Sequence, residues 1–363
     1  MPILFRYLLR EYAKIFFMCF AGLMTIYMVI DFFEKVRRFL NYDASWLDVL
    51  LYFALKVPGI SFQIVPLAIL MATLLTLGLL SRNNEITALR SCGISLPWIA
   101  SPFVVFGTMM ALVLLLFSST VIPLASIKAE EIRAIHIEKK PPAAALKLPQ
   151  PWARIDADNL LHVTSVAIKG DALAGVQLFH FDRAFHLIDM TEAKEARYAD
   201  QSWTLHKGFQ WRFNPDGTVT FIEFDRKPIV LSLIPSDFTG GLAGDYESMT
   251  FRDIREYRGR LYQDGSQFAQ LLTDYYGRIA FPFVTIIMVL VGIALSLRRS
   301  GIRGGSMAMG IGQALMVGFF YWATHSIAIA FGRGGVLQPM VAGWLTNVLF
   351  MSYVMYLMLK VKY

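Results

Sequence analysis

Long apolar runs separated by short polar ones occupy both ends of this chain, and the middle reads differently. Residues 15–33, 47–80, 97–121, 268–297, 307–331 and 340–359 each approach or exceed the ~20 residues that carry a helix across a bilayer. They predict six transmembrane helices. The run 47–80 would be ~50 Å long as a helix, against a ~30 Å hydrocarbon core. It must tilt, bend or protrude, and Pro58 and Pro66 offer places to bend. In residues 3–14, Arg6, Arg10 and Lys14 share one helical stripe, with Phe5, Leu8, Leu9 and Tyr12 on another side. That spacing predicts an interfacial amphipathic helix leading into the first span.

From about residue 123 to 265 charge becomes common and apolar residues alternate. Residues 125–140 read as a helix stopped by Pro141-Pro142. Short β-like runs follow at 153–155, 160–168, 175–182, 185–190, 192–199, 202–207, 208–213, 218–224 and 229–231, with Asn214-Pro215-Asp216-Gly217 as a turn. Strands of this length and spacing suggest an antiparallel sandwich or partly open barrel. Residues 245–261 read as a helix with Arg252, Arg255 and Arg258 at three-residue spacing.

A polar island, residues 82–95, lies between the second and third apolar runs. Asn83 or Asn84 can cap a helix start and Glu85 suits its first turn, where the helix end is positive. Ile86, Leu89 and Ile94 form an apolar side, and Gly93 fits a helix C-terminus. Two readings stand: a capped connector, and a lever that another protein pushes.

Composition agrees with a membrane protein. The 363 residues are 56% hydrophobic and only 17% charged, where soluble chains carry about 25%. The first apolar run follows a charged segment and lacks an A-x-A-like site, so no cleavable signal peptide is expected. Cys19 and Cys92 lie in or beside apolar runs and predict no disulfide framework. The net charge of +7 matters through its distribution across loops, and no nucleic-acid partner follows from it. Arg6, Arg10 and Lys14; Arg82 and Arg90; Arg298, Arg299 and Arg303; and Lys360 and Lys362 all fall on the side of both termini. The positive-inside rule makes that side cytoplasmic and puts the β region outside. Lys35, Arg37 and Arg38 break the rule at the outer end of the first span. Their cations suit an anionic phosphate; pairing with Asp31 and Glu34 is the alternative.

Enzyme signatures are missing from the sequence. There is no Gly-Lys dipeptide and hence no P-loop, no HExxH pattern among the six histidines, and no GxSxG elbow. Few ionisable residues interrupt the spans. Lys56, Asp274, Arg278 and His325 are the exceptions, and snorkelling, pairing or helix-contact packing accounts for them. If the chain moves a substrate, energy must come from a partner.

Several stretches carry a resemblance. They are Val57-Pro58 with Val65-Pro66-Leu67-Ala68, residues 85–95, Arg278-Ile279-Ala280-Phe281-Pro282-Phe283, Gly304-Gly305 with Met309-Gly310-Ile311-Gly312, and Trp344-Leu345-Thr346-Asn347. In order and spacing they resemble the LptF/LptG family, the permease subunits of the bacterial lipopolysaccharide exporter. The run 30–38 resembles the LptG type more than LptF.

The resemblance implies an integral membrane α-helical fold of six transmembrane helices with an inserted periplasmic antiparallel β-jellyroll-like domain. Residues 1–123 would hold the interfacial helix, three spans and a coupling helix at about 83–92. Residues 124–265 would form the β domain with flanking helices, and 266–363 the last three spans. The implied setting is the bacterial inner membrane, with both termini cytoplasmic. The implied partners are a paired permease (LptF if this is LptG), an LptB-type ATPase dimer, LptC, an LptA-type periplasmic bridge, and lipopolysaccharide.

By the same resemblance the chain is a non-catalytic permease and carries no cofactor; ATP and magnesium are bound by the partner ATPase. Glu85, with Ile86, Leu89 and Arg90, would couple to that ATPase. Lys35, Arg37 and Arg38 would contact lipid phosphates, although a further basic position of that region is Asp31 here and Lys35 is offset. Apolar interior faces of runs such as 175–182 and 218–224 would guide acyl chains. The rival reading is a membrane-anchored envelope receptor or scaffold without transport, and a lipid-acting membrane enzyme is third.

Overall fold

The computed structural model describes residues 2–40, 42, 44–139, 146–147, 152–156, 158–167, 170–199, 201–214, 217–231, 233–235, 237–238, 250–252, 254–255, 266–299 and 307–359. Pro141-Pro142, most of the expected helix at 245–261, the glycine-rich link after Arg299, and Lys360 and Lys362 lie outside them. The chain divides into two compact units. One comprises Met1–Glu34, Val57–Val121 and Leu272–Tyr363; the other comprises Lys35–Lys56 and Ile122–Leu271.

Among the described residues, six helices are long and apolar enough to cross a membrane. Helix α1 (Pro2–Leu40) is continuous from the basic stripe through the first span. Its buried residues Leu8, Tyr12 and Phe16 recur every four positions, while Arg6, Arg10 and Lys14 are exposed. Helix α2 (Trp46–Arg82) runs unbroken through Pro58 and Pro66. Helix α3 (Glu85–Ser91) is the short element of the polar island. Helix α4 (Leu96–Leu116) passes into a π-helical turn, Phe117–Val121, then α5 (Ile122–Glu131) and a second π segment, Ile132–Ile137.

The fourth span is broken: α6 (Ser266–Ala280) and α7 (Val284–Arg299) are joined by a 3-10 turn, Phe281–Phe283. Pro282 explains the break, since it has no N–H and its ring crowds the helix before it. Helices α8 (Met307–Arg333) and α9 (Pro339–Leu359) complete the set. In the helical unit's core, Tyr12 meets Phe103 and Phe106 edge-on at centroid distances of 4.8 and 5.0 Å. Its hydroxyl lies 3.0 Å from Thr73 Oγ1, so the buried phenol is satisfied.

Among its described residues the second unit carries seven antiparallel strands: β1 (Leu146–Lys147), β2 (Trp152–Arg154), β3 (Asn159–Val166), β4 (Ala172–Phe181), β5 (Leu187–Ala199), β6 (Ser202–Phe213) and β7 (Val219–Ile229). They form one sheet in the order β1-β3-β4-β5-β6-β7, with β2 also on β3. Three pairs of runs expected to be separate are continuous strands, β5, β6 and β7. The break read at Gly208 is a close approach instead. A Cβ there would lie 2.1 Å from the Glu192 carbonyl oxygen and 2.6 Å from Phe224.

The sheet's buried face changes along the strands. Val163, Val176 and Ala193 stand opposite one another and are buried. On the other face Val166, Leu173, Ala196 and Leu205 form a second buried row. Trp203 closes that end, donating from Nε1 to the Leu233 carbonyl at 2.8 Å and meeting Phe238 edge-on.

Candidate functional site

Helix α3 is an appendage held at three points. Asn84 occupies the N-cap position, but at φ 60° and without a side-chain cap bond; the expected side-chain cap is replaced. Glu85 instead accepts from Tyr7 Oη at 2.9 Å through one oxygen and from Asn83 Nδ2 at 3.2 Å through the other. At the far end Gly93 has φ +80°. The Ile94 N–H bonds the Leu89 carbonyl at 3.1 Å and the Gly93 N–H the Arg90 carbonyl at 2.9 Å. This is the Schellman closure, which needs a residue tolerant of positive φ.

Between these ends Ile86, Leu89 and Ile94 pack against the helical unit's core. Thr87, Ala88, Arg90 and Ser91 are exposed, and no residue of α3 is buried. Of the four expected coupling residues, then, Ile86 and Leu89 face the chain's own core and Arg90 faces away from it. Glu85 is half-buried and engaged by Tyr7. Tyr7 was not singled out from sequence; its only signal is a polar-tipped ring on the border of α1's basic stripe.

The basic cluster sits in the last turns of α1. Lys35 is half-buried and Arg37 exposed; the Arg38 side chain lies outside the described residues. Arg37 forms no ion pair among the described residues. The coupling residues and the basic cluster belong to different units.

The four ionisable residues that interrupt the apolar runs each have a close neighbour. Lys56 stands over the Tyr52 ring at 5.4 Å. Arg333 meets Asp274 Oδ1 at 2.7–2.8 Å, and Arg278 donates to the Ser118 carbonyl. His325 stacks on Tyr321 and lies against Phe281. Among the described residues no three His, Cys, Asp or Glu side chains converge as a metal-holding group.

The β sheet carries a row that strand-by-strand reading does not reveal. Leu160, Phe179, Met190, Trp211 and Phe221 are successive cross-strand neighbours over five strands. None is fully buried, and Phe221 is 55% exposed. Phe209 stacks on Phe221 at 5.1 Å beside it. An apolar row of this length, left partly open, fits an elongated apolar ligand.

Six membrane-length helices, with an antiparallel sheet inserted after the third, make this a multi-pass membrane protein. It belongs to the lipopolysaccharide export system permease LptF/LptG family, whose pattern matches residues 6–360. The chain is 22% identical to the LptG permease of Haemophilus influenzae, covering 85% of each chain. It is 21% identical to Escherichia coli K12 LptG over 90% of this chain and 89% of the relative. To Escherichia coli K12 LptF it is 24% identical, over 96% and 93%. Relatives of both types match at similar identity, so identity does not separate the two.

Proposed function

We propose that this chain is one of two paired permeases, of the LptG type, that extract lipopolysaccharide from the inner membrane under the drive of an LptB-type ATPase dimer. The observation that carries this is α3: a seven-residue helix with no buried residue, held on the core by one side and presenting Thr87, Ala88, Arg90 and Ser91 on the other. With the family membership above, that exposed face is read as the docking surface for a partner. ATP binding by the partner would move α3, and its seat on the core would pass that motion to the spans. Glu85 acts here by holding α3 in place and by offering its carboxylate at the docking edge.

Positive charge on the terminal side supports a cytoplasmic setting for both termini and α3, with the β sheet in the periplasm. Arg37 and Arg38, with Lys35, then meet lipid phosphates at the periplasmic end of α1. The row from Leu160 to Phe221 receives acyl chains on the way to LptC and the LptA-type bridge. ATP and magnesium are held by the ATPase; this chain supplies docking, gating and lipid contact.

The test is co-expression with the second permease and the ATPase, followed by ATPase assays with and without lipopolysaccharide. A stable complex of two different permeases and two ATPase copies, stimulated by lipid and uncoupled by Glu85→Lys, is the expected result. A chain that purifies alone and is indifferent to ATPase and lipid overturns the reading and leaves the scaffold.

A further inference from the structure

Two stretches that carry the family resemblance, residues 278–283 and 344–347, meet at one point in the helical unit. At the Phe281–Phe283 turn the helical ladder is interrupted, and the Ala280 carbonyl is taken by a side chain. Asn347 Nδ2 donates to it at 2.7 Å. A carbonyl can only accept, so Nδ2 must face it and Oδ1 is left for a donor. That donor is Tyr321 Oη, at 2.8 Å. Both side chains are almost fully buried, at 5% and 4% exposure.

Two further bonds close the same break from the other side. Thr285 Oγ1 lies 3.0 Å from the Gly107 carbonyl oxygen, and Arg278 donates to the Ser118 carbonyl within the π-helical turn. A π turn displaces the ladder by one residue, and such turns gather at functional positions. Gly343 completes the contact: a Cβ there would sit 2.9 Å from the Gly277 nitrogen, so α6 and α9 touch backbone to backbone. The broken span is thus bonded to α4 and α9, and through Asn347 to α8.

We infer that Asn347 is a positioning residue for export: with Tyr321 it locks the break at Phe281–Phe283 to α8 and α9, so that these helices move as one body when α3 is displaced. The inference rests on the export reading above. It requires the polar bonds themselves and not only the space they fill. Leucine shares asparagine's branched outline, at a larger volume, but can neither donate to the Ala280 carbonyl nor accept from Tyr321.

The experiment uses the complete complex in nanodiscs, carrying Tyr321→Phe, Asn347→Leu or Asn347→Asp. It measures hydrogen exchange over residues 278–290, and ATPase activity with and without lipopolysaccharide. Asn347→Leu is expected to speed exchange about tenfold and to cut the lipid-stimulated increment about tenfold, with basal hydrolysis retained. Tyr321→Phe gives about a threefold effect on both, and Asn347→Asp, which sets an acceptor against the Ala280 carbonyl, the largest. If Asn347→Asp does not assemble, Tyr321→Phe, which keeps the ring, decides the matter. Unchanged exchange in Asn347→Leu overturns the lock. Faster exchange with full lipid stimulation overturns the positioning role. A wild-type complex that lipid does not stimulate overturns the export reading, and with it the role in export; exchange then decides only whether the lock exists.

Discussion

Tyr7 donates a 2.9 Å hydrogen bond to Glu85, joining the first turns of α1 to the first residue of α3 across 78 positions of sequence. Beside it, the side-chain contacts described at that end of α3 are its apolar side and Asn83. The bond is charge-assisted, but Tyr7 is 43% exposed, so solvent screening limits it to about 1 kcal/mol or less. Tyr7→Phe should therefore assemble normally and lose two- to threefold in lipid-stimulated ATPase, by the same rough estimate. Glu85→Lys should lose the stimulation entirely. In a double-mutant cycle of Tyr7→Phe with Glu85→Gln the two effects should fall short of additive, whereas strict additivity would mean that the bond does not hold α3.

Arg37 is exposed and forms no ion pair among the described residues. Arg37→Glu should reduce photocrosslinking of lipopolysaccharide near the end of α1 by about tenfold, since it exchanges attraction for repulsion at a phosphate. Assembly with the second permease should be unaffected. Crosslinking at the wild-type level would return this arginine to a solvated surface charge.

The row across the sheet makes a separate prediction. Trp211 lies between Met190 and Phe221, so Trp211→Ala leaves a gap in the middle of the apolar track. A photoreactive group at Phe221 should then capture less lipid during ATP-driven transport, while one at Phe33, exposed near the end of α1, captures as much or more. Equal loss at both positions would point to a general folding defect.

Asp182 shapes the β4–β5 turn. It accepts from the Ala184 and His186 backbone N–H groups at 2.8 Å each and lies 3.1 Å from the His186 ring. The His186 backbone N–H above all holds this carboxyl below its ordinary range. A folded-state value below the unfolded one gives stabilisation that is complete above about pH 4 and is lost as pH falls through the folded value. Exchange of the 182–186 turn amides, corrected for intrinsic rates, should therefore accelerate as pH falls below about 4. Asp182→Asn should remove that acid dependence. Acid sensitivity persisting in the variant would assign it to another group.

Gly208→Ala places a methyl group against the Glu192 backbone, which cannot swing aside as a flexible side chain would. The expected cost is about 2 kcal/mol or more, read as faster proteolysis of the β unit. Gly22→Ala, where a Cβ meets nothing within 4 Å, is the matched control and should be neutral or slightly stabilising.

The extent to which these features were legible follows from their range. Gly93 and the apolar positions Ile86, Leu89 and Ile94 identified α3 because a helix end and its apolar side are set by neighbours within one or two turns. The Asn84 side-chain cap failed because Asn84 sits at φ 60°, outside the extended region a capping residue needs; Glu85 is held by Tyr7, a partner local sequence cannot show. The runs 202–207 and 208–213 were read as separate; that Gly208 lies inside one strand, close to Glu192 and Phe224, comes from strand pairing.

The sequence by itself determined six apolar helices and an alternating middle region, since bilayer transfer and strand alternation act residue by residue over short windows. The span read as 268–297 is broken at Phe281–Phe283 by Pro282, whereas α2 runs unbroken through Pro58 and Pro66; a proline alone does not say which will happen. Only the tertiary structure decided what the broken ends bond to. Asn347 reaches Ala280 across 67 residues and Arg278 reaches Ser118 across 160. Buried polar groups must be satisfied by whatever packing brings within about 3 Å, and that choice belongs to the folded chain as a whole.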